Sequence, residues 1–176
     1  MRRISHAAAE YQENLQKDVQ QLPHLAFSNS QSPYLSLFAN VSIETTSWCN
    51  FNCAFCPSSL LNREHFFMSD QAFKKIIDEL VMISYSGTIK VCRSNEPLTD
   101  IKLYEKIEYL KSQLPNVIVG FYTNGLCLTE ELLKTFYKAG CNFIYIEAYH
   151  SKEEYEKLVI LCQNIIQQTN KNDISL

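Results

Sequence analysis

The sequence predicts an α/β protein in which four β-strands alternate with helices, βαβαβαβα. Three observations carry this. Four short segments have strand patterning, the stretch after each has helical periodicity with its own start or stop signals, and the third strand candidate, Val117-Ile118-Val119-Gly120-Phe121-Tyr122, is a nearly continuous apolar run. Such a run suits a parallel sheet covered on both faces. Right-handed crossovers then place the helices outside a parallel sheet.

The elements follow in order. Ala8, Tyr11, Leu15, Val19 and Leu22 recur at spacings of three and four, so residues 1–24 read as an amphipathic helix ended by Pro23. Residues 26–38 carry four serines and Pro33, a loop composition. The opening 39 residues are thus expected to be a helical appendage to a domain at 40–176. Val41-Ser42-Ile43-Glu44-Thr45 alternates as a strand. Ser69 caps a helix with Phe73, Ile76, Ile77, Leu80 and Val81 on one face. Gly87 precedes the strand Thr88–Cys92. Asp100 is placed to cap a helix bearing Leu103, Ile107, Leu110 and Leu114, closed by Pro115. After the third strand, Thr129 caps a helix with Glu130 and Glu131 in its first turn, which suits the helix dipole, and Gly140 ends it. Phe143–Ile146 is the fourth strand. Ser151 and Glu154 form a capping box for a last helix carrying Tyr155, Leu158, Val159, Cys162, Ile165 and Ile166.

Composition narrows the function. With 46% hydrophobic and 20% charged residues the chain is ordinary globular material, not a disordered one. Its 16 Lys+Arg against 19 Asp+Glu argue against a protein built to grip nucleic acid or anionic membrane. No apolar run reaches bilayer-spanning length, and Glu10, Gln12, Glu13 and Asn14 leave no apolar signal core behind Met1-Arg2-Arg3. A cytoplasmic location is expected. There the seven cysteines read as thiols or metal ligands before disulfides.

In parallel α/β folds, open or closed, chemistry sits where strands end and loops begin. The first such loop reads Trp48-Cys49-Asn50-Phe51-Asn52-Cys53-Ala54-Phe55-Cys56-Pro57. Three thiols this close can wrap one soft metal centre. Iron–sulfur clusters and structural zinc both use thiolates, but structural zinc needs four closed positions. There is no second Cys-x-x-Cys pair, and His65 has no partner histidine. Trp48, Phe51 and Phe55 would supply a dry shell. Three cysteines at this spacing are far from the scattered pattern of buried core cysteines.

Cys49-x3-Cys53-x2-Cys56, with Phe55 before the last cysteine and following Glu44-Thr45-Thr46, resembles the radical S-adenosylmethionine (SAM) superfamily over about residues 40–160. The resemblance implies a partial (β/α) barrel. It also implies a [4Fe–4S] cluster on Cys49, Cys53 and Cys56 that binds SAM and cleaves it reductively to a 5′-deoxyadenosyl radical, which abstracts hydrogen from a substrate. Phe55 is then expected near the adenine. Ser94-Asn95-Glu96-Pro97-Leu98 is similar to the family's Gly-Gly-Glu segment, in the form found in members with C-terminal SPASM or twitch-type extensions. Its backbone is expected to meet the SAM amino group, with Asn95 standing in for glycine through its tolerance of left-handed backbone. Thr123-Asn124-Gly125 is similar to the family's Thr-Asn-Gly turn, with Thr123 and Asn124 offering polar groups to SAM. Glu147, after the fourth strand, stands where relatives bind the ribose.

Further residues are open. Tyr149 could relay hydrogen, His150 reads as a surface residue, and Arg93 suits a substrate or SAM carboxylate or a surface salt bridge. Cys92 could point into the barrel, Cys162 reads as core, and Cys127 and Cys141 show no ligand spacing.

The resemblance further implies a one-electron donor such as a flavodoxin or ferredoxin, and a small-molecule or peptide substrate. The family core has six βα units. At roughly 30 residues per unit, the residues left after the appendage fit four. Two alternatives therefore accompany the enzyme reading: a truncated or partner-completed module that binds cluster and SAM without catalysis, and a zinc-stabilised α/β adaptor.

Overall fold

In a computed structural model, the described residues are 38–60, 63–148, 151–169 and 174–175. The helix and loop expected over residues 1–37 lie outside them. The order is β1 (Asn40–Ser42), α1 (Pro57–Leu60), α2 (Asp70–Met82), β2 (Thr88–Lys90), a 3-10 turn (Pro97–Thr99), α3 (Leu103–Gln113), β3 (Ile118–Thr123), α4 (Glu130–Lys138), β4 (Phe143–Ile146), α5 (Lys152–Thr169) and β5 (Ile174–Ser175).

The strands form one sheet in the order β1-β2-β3-β4-β5, and every neighbouring pair is parallel. Four of these strands are the ones the sequence predicts. The two-residue β5, too short to carry a pattern, is an addition. The ladders of β1 and β2 are shorter than expected, but Ile43 N–H donates to the Lys90 carbonyl at 2.8 Å and Val91 N–H to the Gly120 carbonyl at 3.0 Å, so each strand runs on one residue further.

The register aligns Val41 with Ile89 and Ile89 with Val119, while Phe121 meets Ile144. Alternation then sends Ile43, Ile89, Val91, Val119, Phe121, Ile144 and Ile146 to one face. There they pack with Phe73, Ile77 and Leu80 of α2, Leu103, Ile107 and Leu110 of α3, Leu133 and Phe136 of α4, and Leu158 and Cys162 of α5. Phe121 and Phe136 meet edge to face at 4.9 Å between centroids. Val81, expected on the buried face of α2, is exposed.

The opposite face carries Ser42, Lys90, Tyr122 and Tyr145, so among the described residues the sheet is clad by helices on one side, not on both. Tyr122 and Tyr145 stack at 5.1 Å, and Phe143 lies 5.2 Å from Tyr145. Gly120 is required beside them, because a Cβ there would come within 2.3 Å of the Phe143 carbonyl oxygen.

Most helix starts follow the sequence. Ser69 accepts from Ala72 N–H at 3.2 Å, Thr129 from Leu132 N–H at 3.1 Å, and Ser151 and Glu154 exchange backbone-to-side-chain bonds as a capping box. Gly140, at φ +93, ends α4 in the left-handed conformation. Asp100 differs from expectation. Lys102, not Asp100, is the N-cap of α3, since the 3-10 turn occupies the preceding residues. The Asp100 carboxylate instead accepts from Lys102 N–H at 3.0 Å and pairs with the buried Lys106 ammonium at 2.7 Å.

Candidate active site

The C-terminal ends of β1–β4 open onto one cavity of about 370 Å³. Its wall contains every residue singled out from the sequence as a site residue: Cys49, Cys53, Cys56, Phe55, Ser94, Asn95, Glu96, Thr123, Asn124 and Glu147. Tyr149 and His150 lie outside the described residues.

The cysteine loop is held by a short antiparallel pairing. Ser47 N–H donates to the Phe66 carbonyl at 3.0 Å, Met68 N–H to the Thr45 carbonyl at 2.7 Å, and the Ser47 hydroxyl to the Glu64 carbonyl at 2.6 Å. A turn in which Cys56 N–H donates to the Cys53 carbonyl at 3.0 Å leads into α1, with Pro57 at its first position. Cys49, Cys53 and Cys56 are free thiols, each partly exposed. Burial raises the Cys49 thiol above its ordinary pKa, opposed by a hydrogen bond from the Phe51 backbone. Phe55 is 70% exposed over the cavity. His65 stacks on Trp48, with centroids 5.9 Å apart.

Glu96 is the hub of the next two loops. It is buried, and its carboxylate accepts from the Thr123 hydroxyl at 2.7 Å, from Asn124 N–H at 2.8 Å and from Leu98 N–H at 3.0 Å. Burial raises its pKa, and the three donors oppose that rise. Its own N–H donates to the Trp48 carbonyl at 3.0 Å, which ties this loop to the cysteine loop. The polar atoms of Thr123 and Asn124 also serve this framework. The Thr123 hydroxyl accepts from Gly125 N–H at 3.1 Å, and the Asn124 amide donates to Asn50 Oδ1 at 2.7 Å. Asn50 in turn donates to the exposed Cys127 sulfur at 3.4 Å.

The Ser94–Asn95 segment departs from expectation in one respect. Among the described non-glycine residues only Ser84 has a positive φ, so Asn95 does not replace glycine by adopting left-handed backbone. Its Oδ1 accepts instead from Arg93 N–H at 2.8 Å, which shapes the loop by a side-chain bond. Asn95 Nδ2 is buried in the cavity wall with no acceptor among the described residues. Ser94 is fixed from below, since its N–H donates to Glu44 at 3.0 Å, and Glu44 is paired with Arg63. Glu147 N–H donates to the Thr123 carbonyl at 2.8 Å, which brings the fourth strand end into the same ring of loops.

The sequence reading missed Glu44, Arg63, Asn50, Lys90 and Tyr122. Glu44 and Asn50 sit beside or within the cysteine motif but act through residues 19 to 77 positions away. Lys90 and Tyr122 break the apolar pattern of their strands on the open face, and that break was the available signal. Cys92 does line the cavity, and its buried sulfur accepts from Tyr122 N–H at 3.3 Å. Cys141 and Cys162 are core.

The donor set suits an iron–sulfur cluster. Three thiols share the cavity wall, and thiolates are the residues that would hold an iron–sulfur cluster there. Among the described residues no three His, Cys, Asp or Glu side chains meet around a single ion.

Comparison with known proteins agrees. The sequence is 30% identical over 105 residues to the S-adenosyl-L-methionine-dependent 2-deoxy-scyllo-inosamine dehydrogenase of Niallia circulans, covering 59% of this chain and 42% of that one. It is 29% identical over 109 residues to the tungsten-containing aldehyde ferredoxin oxidoreductase cofactor-modifying protein of Pyrococcus furiosus, covering 58% and 28%. The chain therefore spans less than half the length of these relatives. Among solved structures, BtrN in complex with AdoMet and 2-DOIA superposes with a TM-score of 0.67 at 24% identity, over 78% of this chain and 55% of that one. Methylornithine synthase (PylB) gives 0.54 at 14%, over 85% and 52%. Both likenesses show the fold, a partial barrel of parallel βα units. The sequence model of the Radical SAM superfamily matches residues 43–164, and the chain belongs to that superfamily, whose cofactors are a [4Fe–4S] cluster and S-adenosylmethionine.

Proposed function

We propose that this chain is the catalytic core of a radical SAM enzyme acting on a small molecule or peptide, with Cys49, Cys53 and Cys56 holding the cluster. The observation that carries the reading is the convergence of those three thiols with Ser94, Asn95, Glu96, Thr123, Asn124 and Glu147 on one cavity. When bound, the cluster and SAM supply a reductive cleavage whose 5′-deoxyadenosyl radical takes a hydrogen atom from the substrate.

The chain's own residues prepare that site. Glu96 locks the second and third loops together, so the backbone of Ser94 and Asn95 is held still for the methionyl end of SAM. Phe55 offers an exposed ring to the adenine, and the Glu147 carboxylate suits the ribose hydroxyls. Thr123 and Asn124 act by holding Glu96 and Asn50. Delivery of the electron requires a donor protein, a flavodoxin or ferredoxin by chemical class.

Anaerobic reconstitution followed by iron, sulfide and SAM-binding measurements tests the reading. About four iron and four sulfide per chain with SAM bound, and 5′-deoxyadenosine formed on adding dithionite, are expected. A reconstituted chain that binds no SAM overturns it. Cluster and SAM bound without 5′-deoxyadenosine would identify a module completed by another polypeptide, and zinc without sulfide would identify the adaptor.

A further inference from the structure

We propose that the open face of the sheet takes the substrate by an anionic group, a carboxylate or phosphate, which Lys90 binds while the stacked Tyr122–Tyr145 pair borders the body that carries it. This rests on the reading above, because it assigns the second occupant of the same cavity.

Lys90 sits on β2, between β1 and β3, aligned with Ser42 on one side and Gly120 on the other. Central strands of parallel sheets are normally apolar, so a lysine there is an exception. Among the described residues, no carboxylate lies within ion-pair distance of Lys90, whereas the buried Lys106 has Asp100 at 2.7 Å. The contact Lys90 does make is with the Tyr122 ring, whose centroid lies 5.3 Å from Nζ. A ring face steadies the cation without using up its three N–H donors, so the ammonium stays available to an oxyanion.

Two acids, Glu96 and Glu147, line the same cavity. Glu96 turns its carboxylate to Thr123, Asn124 and Leu98, and Glu147 lies beyond β4, at the strand ends. A second cation, Arg93, also lines the cavity from an exposed position. Lys90 belongs to β2 itself, four residues before Ser94, whereas the residues proposed to hold SAM stand in the loops beyond the strand ends. Beside it the stacked Tyr122 and Tyr145 rings lie 22° from parallel, and Tyr145 is 41% exposed. Tyr122 lines the cavity and Tyr145 stands beside it, so the pair gives an apolar edge along which the body of a bound molecule can lie.

The test uses the reconstituted full chain, with benzoate as probe and benzamide as its neutral isostere, titrated calorimetrically in the presence of SAM. Benzoate is expected to bind at least about tenfold more tightly than benzamide. Lys90→Met is expected to abolish that preference and Lys90→Arg to keep it, with SAM affinity unchanged within about twofold in both. Tyr145→Ala should weaken both probes. Equal binding of the two probes by the wild type overturns the proposal, as does a preference that survives in Lys90→Met. So does a tenfold or greater loss of SAM affinity in that variant, which would assign Lys90 to the SAM carboxylate. Normal SAM binding without a benzoate preference would sink this proposal alone. A Lys90-dependent benzoate preference in protein that binds no SAM would sink the functional reading alone.

Discussion

The Thr123 hydroxyl donates to the Glu96 carboxylate at 2.7 Å, and both residues are buried. One carboxylate thus fastens the end of β3 to the loop after β2. Glu96→Gln replaces one acceptor by an amide N–H that must face Asn124 N–H or the Thr123 hydroxyl. A loss of about 1–3 kcal/mol is expected, read as a lower urea midpoint with unchanged slope. A midpoint equal to wild type would show that the three bonds contribute nothing to the fold.

The cysteines divide into two groups. Cys49→Ala, Cys53→Ala or Cys56→Ala should each lower reconstituted iron and sulfide to a small fraction of wild type. Cys127→Ala should leave both intact, although Cys127 is exposed and touches Asn50 of the same loop. Loss of iron in the Cys127 variant would mean that this thiol reaches the cluster.

Gly120→Ala should destabilise the sheet by about 1–3 kcal/mol or more. The added methyl would lie 2.3 Å from the Phe143 carbonyl and 2.5 Å from its ring, and a paired strand backbone has little room to move. A melting temperature within a degree or so of wild type would refute this placement of β3 against β4.

Alkaline pH should weaken the fold through its core thiols. Burial pushes Cys141 up to about 12 and Cys162 to about 11, against an ordinary 9.0. Each folded pKa is above the unfolded one, so the contribution is complete below pH 9 and is lost as pH climbs toward those values. The slope approaches about 1.4 kcal/mol per pH unit per thiol. Urea unfolding of wild type and Cys141→Ala at pH 8 and 10 checks this, and the variant should lose less stability over that interval.

Local chemistry made much of this legible in the sequence. Ser69, Thr129 and Ser151–Glu154 announce their helices because a cap is decided within four residues, and the cysteine motif announces its loop for the same reason. What could not be read was settled over long separations. Glu44 reaches Arg63 and Ser94, Asn50 reaches Asn124 and Cys127, and neither pairing has a spacing rule. Asp100 was misplaced because a 3-10 turn shifted the start of α3 by two residues. The one-sided cladding of the sheet escaped the apolar run of β3, in which Gly120 and Tyr122 gave the only sign of an open face.

That one-sidedness gives neighbouring strand residues separate histories. Ile89 and Val119 answer to the packing beneath them, and nearly any exchange there is felt by the whole domain. Lys90 and Tyr122, one step along the same strands, answer to whatever enters from the other side. A lineage could therefore rewrite its choice of guest by changing positions 42, 90, 122 and 145 while its architecture stayed untouched.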